Sequence, residues 1–295
     1  MPSIKEYNRK IGSLKNTVKI TKTMKMVSAA KLRRAQDAQR QAADFAREVN
    51  ELIHLIASNI DVTLHPLLQP RESVKKVLVL GYTSDKGLCG GFNNNLIRFL
   101  GRWKADQEAN GLEVDLAFAG KRGNSYYTKR ANVVKNYEDV TAVPDARNAT
   151  KIAADLEHAF LEGGYDEVYL LNNKFESALV QTPTMQKILP MEPADLDTLG
   201  DQFEEERNGM GLDFIIEPPP AELLNELVPR LVTFKVLYAL LENSAGEHGA
   251  RMTSMDNATT NAMDMIDSYT LLRNRARQAA ITTELTEIIS GAEAL

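Results

Sequence analysis

Between Ile4 and about Ala57, apolar and small residues recur at three- and four-residue intervals with no proline and a single glycine, Gly12. Every seventh position reads Ile4, Ile11, Val18, Lys25, Leu32, Gln39, Ala46 and Ile53. The positions three later read Tyr7, Leu14, Thr21, Ser28, Ala35, Ala42, Val49 and Ile56. This is a heptad seam on one continuous helix, with small and partly polar residues at its centre. At the α-helical rise it extends roughly 80 Å, too far for an isolated helix. His65-Pro66 and Pro70 supply the stop signals.

The other end of the chain offers a helix of similar length. After Pro218-Pro219-Pro220, a short helical stretch covers Ala221 to Leu227, and Pro229 suits the first turn of a long helix ending near Gly291. Its seam reads Leu231, Tyr238, Ala245, Met252, Thr259, Ile266, Arg273 and Ala280, interleaved with Leu227, Phe234, Leu241, His248, Met255, Ala262, Tyr269 and Ala276. Two long terminal helices predict an antiparallel coiled coil with a domain at one end. The corresponding division is 1–60, 61–217 and 218–295. Periodicity alone leaves open separate bundles or self-dimerisation. Gly246 and Gly249 each cost about 1 kcal/mol in a helix relative to alanine, so they require a reason. Close approach to Ser28, Ala29 and Ala35 is one, and local bending is another.

Between the helices the period changes. Val74 to Leu80 is a short apolar run followed by the turn-rich Gly81 to Gly91, and a helix fits from about Asn93 to Asp106. Strands are expected at Val114 to Ala119, Val133 to Tyr137 and Glu167 to Leu171, with helices at Asn124 to Lys129 and Thr150 to Glu162. This alternation predicts a small, largely parallel, Rossmann-like α/β domain. Leu179 to Gln186 and Phe214 to Ile216 are candidate edge strands, separated by an acidic loop over Asp195 to Asn208.

Composition narrows the chemistry. Hydrophobic residues make up 43%, enough for a folded core, while aromatics are only 6%, which favours helices over sandwiches. The single cysteine, Cys89, excludes an intramolecular disulfide framework, and the four histidines form no metal-ligand pattern. No bound metal or cofactor is expected. No run approaches the apolar length of a membrane-spanning helix. The amino-terminal segment lacks a signal core, so a soluble chain that reaches a membrane only through a partner is expected. Gly87-Leu88-Cys89-Gly90-Gly91 lies where phosphates often bind, between a strand and a helix. Yet it is neither G-x-G-x-x-G nor a phosphate loop with Gly-Lys-Ser/Thr. Gly87, Cys89, Gly90 and Gly91 therefore read as a structural turn, and no local histidine activates Cys89.

Net charge is −5, but the first 40 residues carry a strong excess of lysine and arginine. An acidic protein surface and nucleic acid are the two partners such an arm suggests, beside the plainer reading of a solvated helix face. Interleaved aromatics and RNA-recognition motifs are missing, which disfavours nucleic acid. A coiled-coil scaffold, a basic-arm nucleic-acid binder and a nucleotide-binding enzyme remain the competing classes.

Three blocks resemble one family. Ile20-Thr21-Lys22-Thr23-Met24-Lys25-Met26-Val27-Ser28-Ala29-Ala30-Lys31 is similar to the amino-terminal signature of ATP synthase gamma subunits. Ser84 to Asn93 resembles their central motif. Glu247 to Met252, followed by Asn274 to Thr282, resembles their carboxy-terminal signature, and the likeness continues through Glu284 to Ala292. The resemblance implies a non-catalytic rotor shaft inside a ring of three alpha and three beta subunits, contacting epsilon and the c ring. It implies that the shaft transmits rotation between proton flow and the catalytic beta sites.

By the same resemblance, Met24 and Lys25 pass the acidic lower lobes of beta, and Arg277 and Gln278 meet a catch loop of the ring. Arg251 matches an arginine of the long helix without an assigned contact. Arg273 stands where the family usually has tyrosine, and Thr260 where aspartate is common. The missing regulatory cysteine pair of chloroplast relatives implies no thiol switch, and the missing transit peptide implies a bacterial protein, peripheral on the cytoplasmic face of the cell membrane.

Overall fold

The computed structural model describes residues 3–57, 65–142, 144–191 and 220–293. Helix α1 runs Ile4–Ala57. Alternating elements follow: β1 (Lys76–Tyr82), α2 (Phe92–Ala109), β2 (Glu113–Ala119), α3 (Lys121–Tyr127), β3 (Val133–Tyr137), α4 (Ala146–Leu161), β4 (Glu167–Phe175) and β5 (Gln181–Leu189). Helix α5 runs Pro220–Glu293. The expected strand at Phe214 to Ile216 and the acidic loop Asp195 to Asn208 lie outside the described residues.

The chain divides into two compact units, 1–29 with 251–295, and 30–250. In the first unit, α1 and α5 run antiparallel. Tyr7 meets the Tyr269 ring at 6.3 Å, Thr21 Oγ1 lies 2.7 Å from Thr259 Oγ1, and Lys25 Nζ lies 2.6 Å from Asp256 Oδ1. Every predicted seam position from Ile4 to Ala42 is buried or half-buried. So are Met252, Met255, Thr259, Ala262, Ile266, Tyr269, Arg273, Ala276 and Ala280 of α5. Arg273 therefore keeps the register, its guanidinium donating to Asn274 Oδ1 at 3.3 Å. Seam positions of α1 beyond Ala42 lie outside the residues whose side chains are described.

The second unit is built on a five-stranded sheet ordered β3-β2-β1-β4-β5, parallel except for antiparallel β5. The strand alternation of β1 serves both faces. Val77 and Val79 join Leu116, Phe118 and Leu171 under Leu96, Ile97 and Leu100 of α2. Leu78, Leu80 and Tyr82 turn the other way, packing with Ile152, Leu156 and Phe160 of α4 and with Val228, Leu231, Val232, Val236 and Leu240 of α5. A mostly parallel sheet needs both faces covered, and here α5 supplies part of the cover.

Two expectations change. Pro229 lies inside α5 instead of starting it. The proline leaves the Asn225 carbonyl without its helical donor, but Asn225 is exposed and water can serve it. Leu227, Val228, Leu231 and Val232, all buried, hold the helix together on both sides. The reason for the glycines also differs from either sequence-based explanation. A Cβ on Gly246 would lie 2.9 Å from Phe92 Cε2, and one on Gly249 would lie 3.1 Å from Ala178 Cα and 3.2 Å from Phe175 Cε2. Both glycines admit the central domain to the helix surface.

At the foot of β2, burial by itself raises the Asp115 carboxyl. Hydrogen bonds from Asn132 (2.6 Å) and Tyr165 (2.9 Å) and the Lys76 ammonium (3.1 Å) outweigh burial and hold it below the ordinary carboxylate range. With the folded value depressed, its stabilisation is complete above the unfolded pKa and disappears as pH falls through the folded one. Asp115→Asn is expected to flatten the loss of stability below about pH 4, measured by denaturant unfolding across acid pH. An unchanged acid limb would refute this role.

Candidate functional site

The sequence-predicted residues fall into a helical surface in the first unit and a turn in the second. Met24 and Lys25 are half-buried on α1, with Lys25 engaged by Asp256 of α5. Lys10 stands over the Tyr269 ring at 5.2 Å, so part of the basic arm is occupied by the partner helix. Arg277 and Gln278 are exposed on α5, and Thr260 is exposed on the same helix. The exposed positions among these residues form a polar surface without an acid, base and nucleophile brought together.

In the second unit, the turn after β1 uses its polar residues on itself. Asn93 Oδ1 accepts from Ser84 N at 2.9 Å, and Asn93 Nδ2 donates to Ser84 Oγ at 2.7 Å. Ser84 Oγ donates to the Lys86 carbonyl at 2.6 Å. Asp85 accepts from Lys121 N and from Thr141 Oγ1, tying the turn to α3 and to the segment after β3. Leu88 and Gly90 take left-handed φ values of 65° and 57°. Cys89 is 2% exposed and clusters with Phe92 and Ala250. Its Sγ lies 3.3 Å from Asn93 Nδ2. Ser84 Oγ at 3.8 Å, the Lys86 carbonyl at 4.0 Å and this Asn93 amide are not bases. Cys89→Ala is expected to lower thermal stability by about 1 kcal/mol while leaving assembly intact. Normal stability with lost activity would show a chemical role instead.

Beside the turn is a cleft of about 550 Å³ lined by Leu88, Arg122, Ser125, Tyr126 and Arg130 with the glycines of the turn. Arg130 stacks 4.2 Å over Tyr126 and donates to its carbonyl at 2.6 Å. The cleft offers cations and hydroxyls but no carboxylate or histidine. Among the described residues no cluster of histidine, cysteine or carboxylate groups has metal-binding geometry. No described helix is long and apolar enough to cross a membrane.

Open α/β sheets usually receive nucleotides at the carboxyl ends of their strands, where strand order changes direction. Here that point lies between β1 and β4, and the chain fills it. Gly246 of α5 seats against Phe92, whose carbonyl accepts from Asn173 Nδ2 at 3.3 Å. Residues 241–250 of α5 are buried on all sides, Arg251 just beyond them is 8% exposed, and Glu242 Oε2 accepts from Asn172 Nδ2 at 2.6 Å. Glu242, Asn172, Phe92 and Phe175 were missed by motif reading. The available signal was Glu242-Asn243 interrupting the apolar run of α5, one turn before Gly246.

A family model described as ATP synthase matches residues 3–295. The ATP synthase gamma chain of Trichlorobacter lovleyi is 42% identical over 295 residues, covering 100% of this chain and 99% of the relative. The gamma chain of Geobacter metallireducens is 44% identical over the same span, with the same coverage. A chain from the central stalk and c-ring structure of Tetrahymena thermophila mitochondrial ATP synthase superposes with a TM-score of 0.58 at 25% identity, covering 81% of this chain and 99% of that one. A chain of the Euglena gracilis mitochondrial ATP synthase OSCP/F1/c-ring structure gives 0.68 at 19% identity, covering 99% and 94%, and supports the fold alone.

Proposed function

Because the chain belongs to the ATP synthase family whose model matches residues 3–295, and its relatives at over 40% identity are gamma chains, we propose that it is the central rotor shaft of a bacterial ATP synthase. It transmits rotation between a proton-driven c ring and the catalytic beta subunits of an alpha/beta hexamer, with epsilon beside it. In this reading residues 1–60 and 218–295 contribute the shaft helices and 61–217 the domain between them. Met24, Lys25, Arg277 and Gln278 carry the contacts with the ring, and the protein sits peripherally on the cytoplasmic face of the membrane. The observation that carries the proposal is the full-length likeness to gamma chains of other bacteria at more than 40% identity.

The subunit has no catalytic site of its own. The filled crevice between β1 and β4 and a turn whose polar residues bond one another support this part of the reading. Torque needs a different kind of structure. An antiparallel helix pair resists bending, and the asymmetry of its two helices presents a different face to each of three surrounding sites in turn.

Affinity purification of the tagged chain from its source cells tests the assignment. Recovery of alpha, beta and epsilon in a defined assembly is expected, with ATP turnover lost when beta is removed. Stoichiometric nucleic acid without those subunits, or turnover by the chain alone, would overturn it.

A further inference from the structure

A helix lying on an apolar sheet resists being pulled away, yet its side chains can slip past one another by small rotations. Directional bonds that fix the angle of the helix are the remedy. One stripe of α5 carries them. Glu242 accepts hydrogen bonds from two residues of β4, the Asn172 side chain at 2.6 Å and the Phe175 main-chain N–H at 3.3 Å. One turn on, Gly246 forms a notch for Phe92, and Asn173 Nδ2 binds the Phe92 carbonyl at 3.3 Å. Gly249 then receives Phe175 and Ala178. Positions 242, 246 and 249 share one face of a helix.

The choice of glutamate is informative. Glu242 is 8% exposed, and Asn172 is 7% exposed. Burial raises the Glu242 carboxyl above its ordinary range, against the pull of Asn172, the Phe175 N–H and Lys174. A buried carboxylate is costly, and a well-packed apolar side chain often stabilises as well or better. A buried polar contact is justified when it specifies one alignment. We propose that Glu242 is a positioning residue that keys α5 to the central sheet in rotation, so that twist applied to the helix turns the domain without slip. This rests on the rotor reading above and adds the place where twist passes from helix to sheet.

The test compares Glu242→Leu, which keeps side-chain bulk, with Glu242→Gln, which keeps an acceptor for Phe175 N–H and donates to Asn172 Oδ1 once the Asn172 amide turns over. Both are assembled into the complete enzyme in sealed vesicles. With Glu242→Leu, proton-driven ATP synthesis against a high ATP/ADP ratio is expected to fall about tenfold, and the Phe175 amide to exchange with deuterium about tenfold faster, the factor given by losing one charge-assisted bond. ATP hydrolysis by the detached alpha/beta/gamma assembly, which turns this junction without load, should stay within about twofold. Glu242→Gln should restore most of the loaded synthesis.

Faster Phe175 exchange with undiminished loaded synthesis would show a packing contact only and overturn the proposal. Equal impairment of the two variants would also overturn it. If Glu242→Leu fails to assemble, Asn172→Ala removes one bond from the sheet side and is judged by the same measurements. Failure of the unmodified chain to assemble with alpha and beta would instead remove the rotor reading itself.

Discussion

Gly246→Leu is expected to destabilise the chain by about 3 kcal/mol, a fall in thermal midpoint of roughly 8 °C for a unit of this size. The first added carbon alone meets Phe92 Cε2 at 2.9 Å and Gln181 Cγ at 3.5 Å. Phe92 is 3% exposed, so moving aside would disturb buried neighbours. Gly246→Ala is the informative control. It gains about 1 kcal/mol of helix propensity, which offsets much of its own clash, so its effect should be small while that of leucine is large. Thermal unfolding of both variants checks this. A leucine variant as stable as the parent would mean that the helix is not seated on Phe92 in solution.

The second large effect concerns coupling. Met24 is half-buried beside Lys25, whose ammonium is already bound to Asp256 at 2.6 Å. In the proposed rotor, Met24→Lys places a second cation beside Lys25, at a position which that reading sets against the acidic lower lobes of beta. An exposed ion pair contributes only about 0 to 1 kcal/mol, but a partly desolvated one contributes more. In the proposed rotor, each contact with successive beta subunits must break, so added attraction deepens one angular state. The expected result is normal assembly, proton-coupled synthesis reduced about fivefold and a steeper temperature dependence of turnover. Removing the facing beta carboxylate should restore coupling. Unimpaired coupling in the single variant, or no rescue in the double variant, would exclude this mechanism.

These effects also separate what the sequence makes legible from what it hides. The helical seam is legible because one repeating pattern serves along its described length: Ile4, Ile11, Val18 and Tyr7, Leu14, Thr21 are all buried or half-buried. The strands are legible for a similar reason, as in Val133–Tyr137, whose predicted bounds match those of β3. The purpose of Gly246 is not legible because it depends on Phe92, far away in sequence and brought near by the sheet. Pro229 shows the same limit from another direction. Its local preference for a helix start is overridden by buried neighbours on both sides. Among the candidate site residues, motif likeness singles out Met24, Lys25, Arg277 and Gln278, which we propose face the ring. It gives no sign of the Glu242–Asn172 bond, which joins two unremarkable stretches.

The inner lining of the helix pair has a further consequence. Thr21 faces Thr259, and Ser28 and Ala262 are buried as well; residues this small let two backbones pack closer than large ones do within the roughly 8–10 Å range open to packed helices. Leucine at the same places would make a thicker spindle. In the proposed rotor, turning within a fixed bore, calibre matters as much as strength, since the widest radius sets the clearance at every angle. The threonines and alanines give up apolar contact and keep the spindle slender, and the hydroxyl pair at Thr21 and Thr259 recovers some cohesion without adding girth.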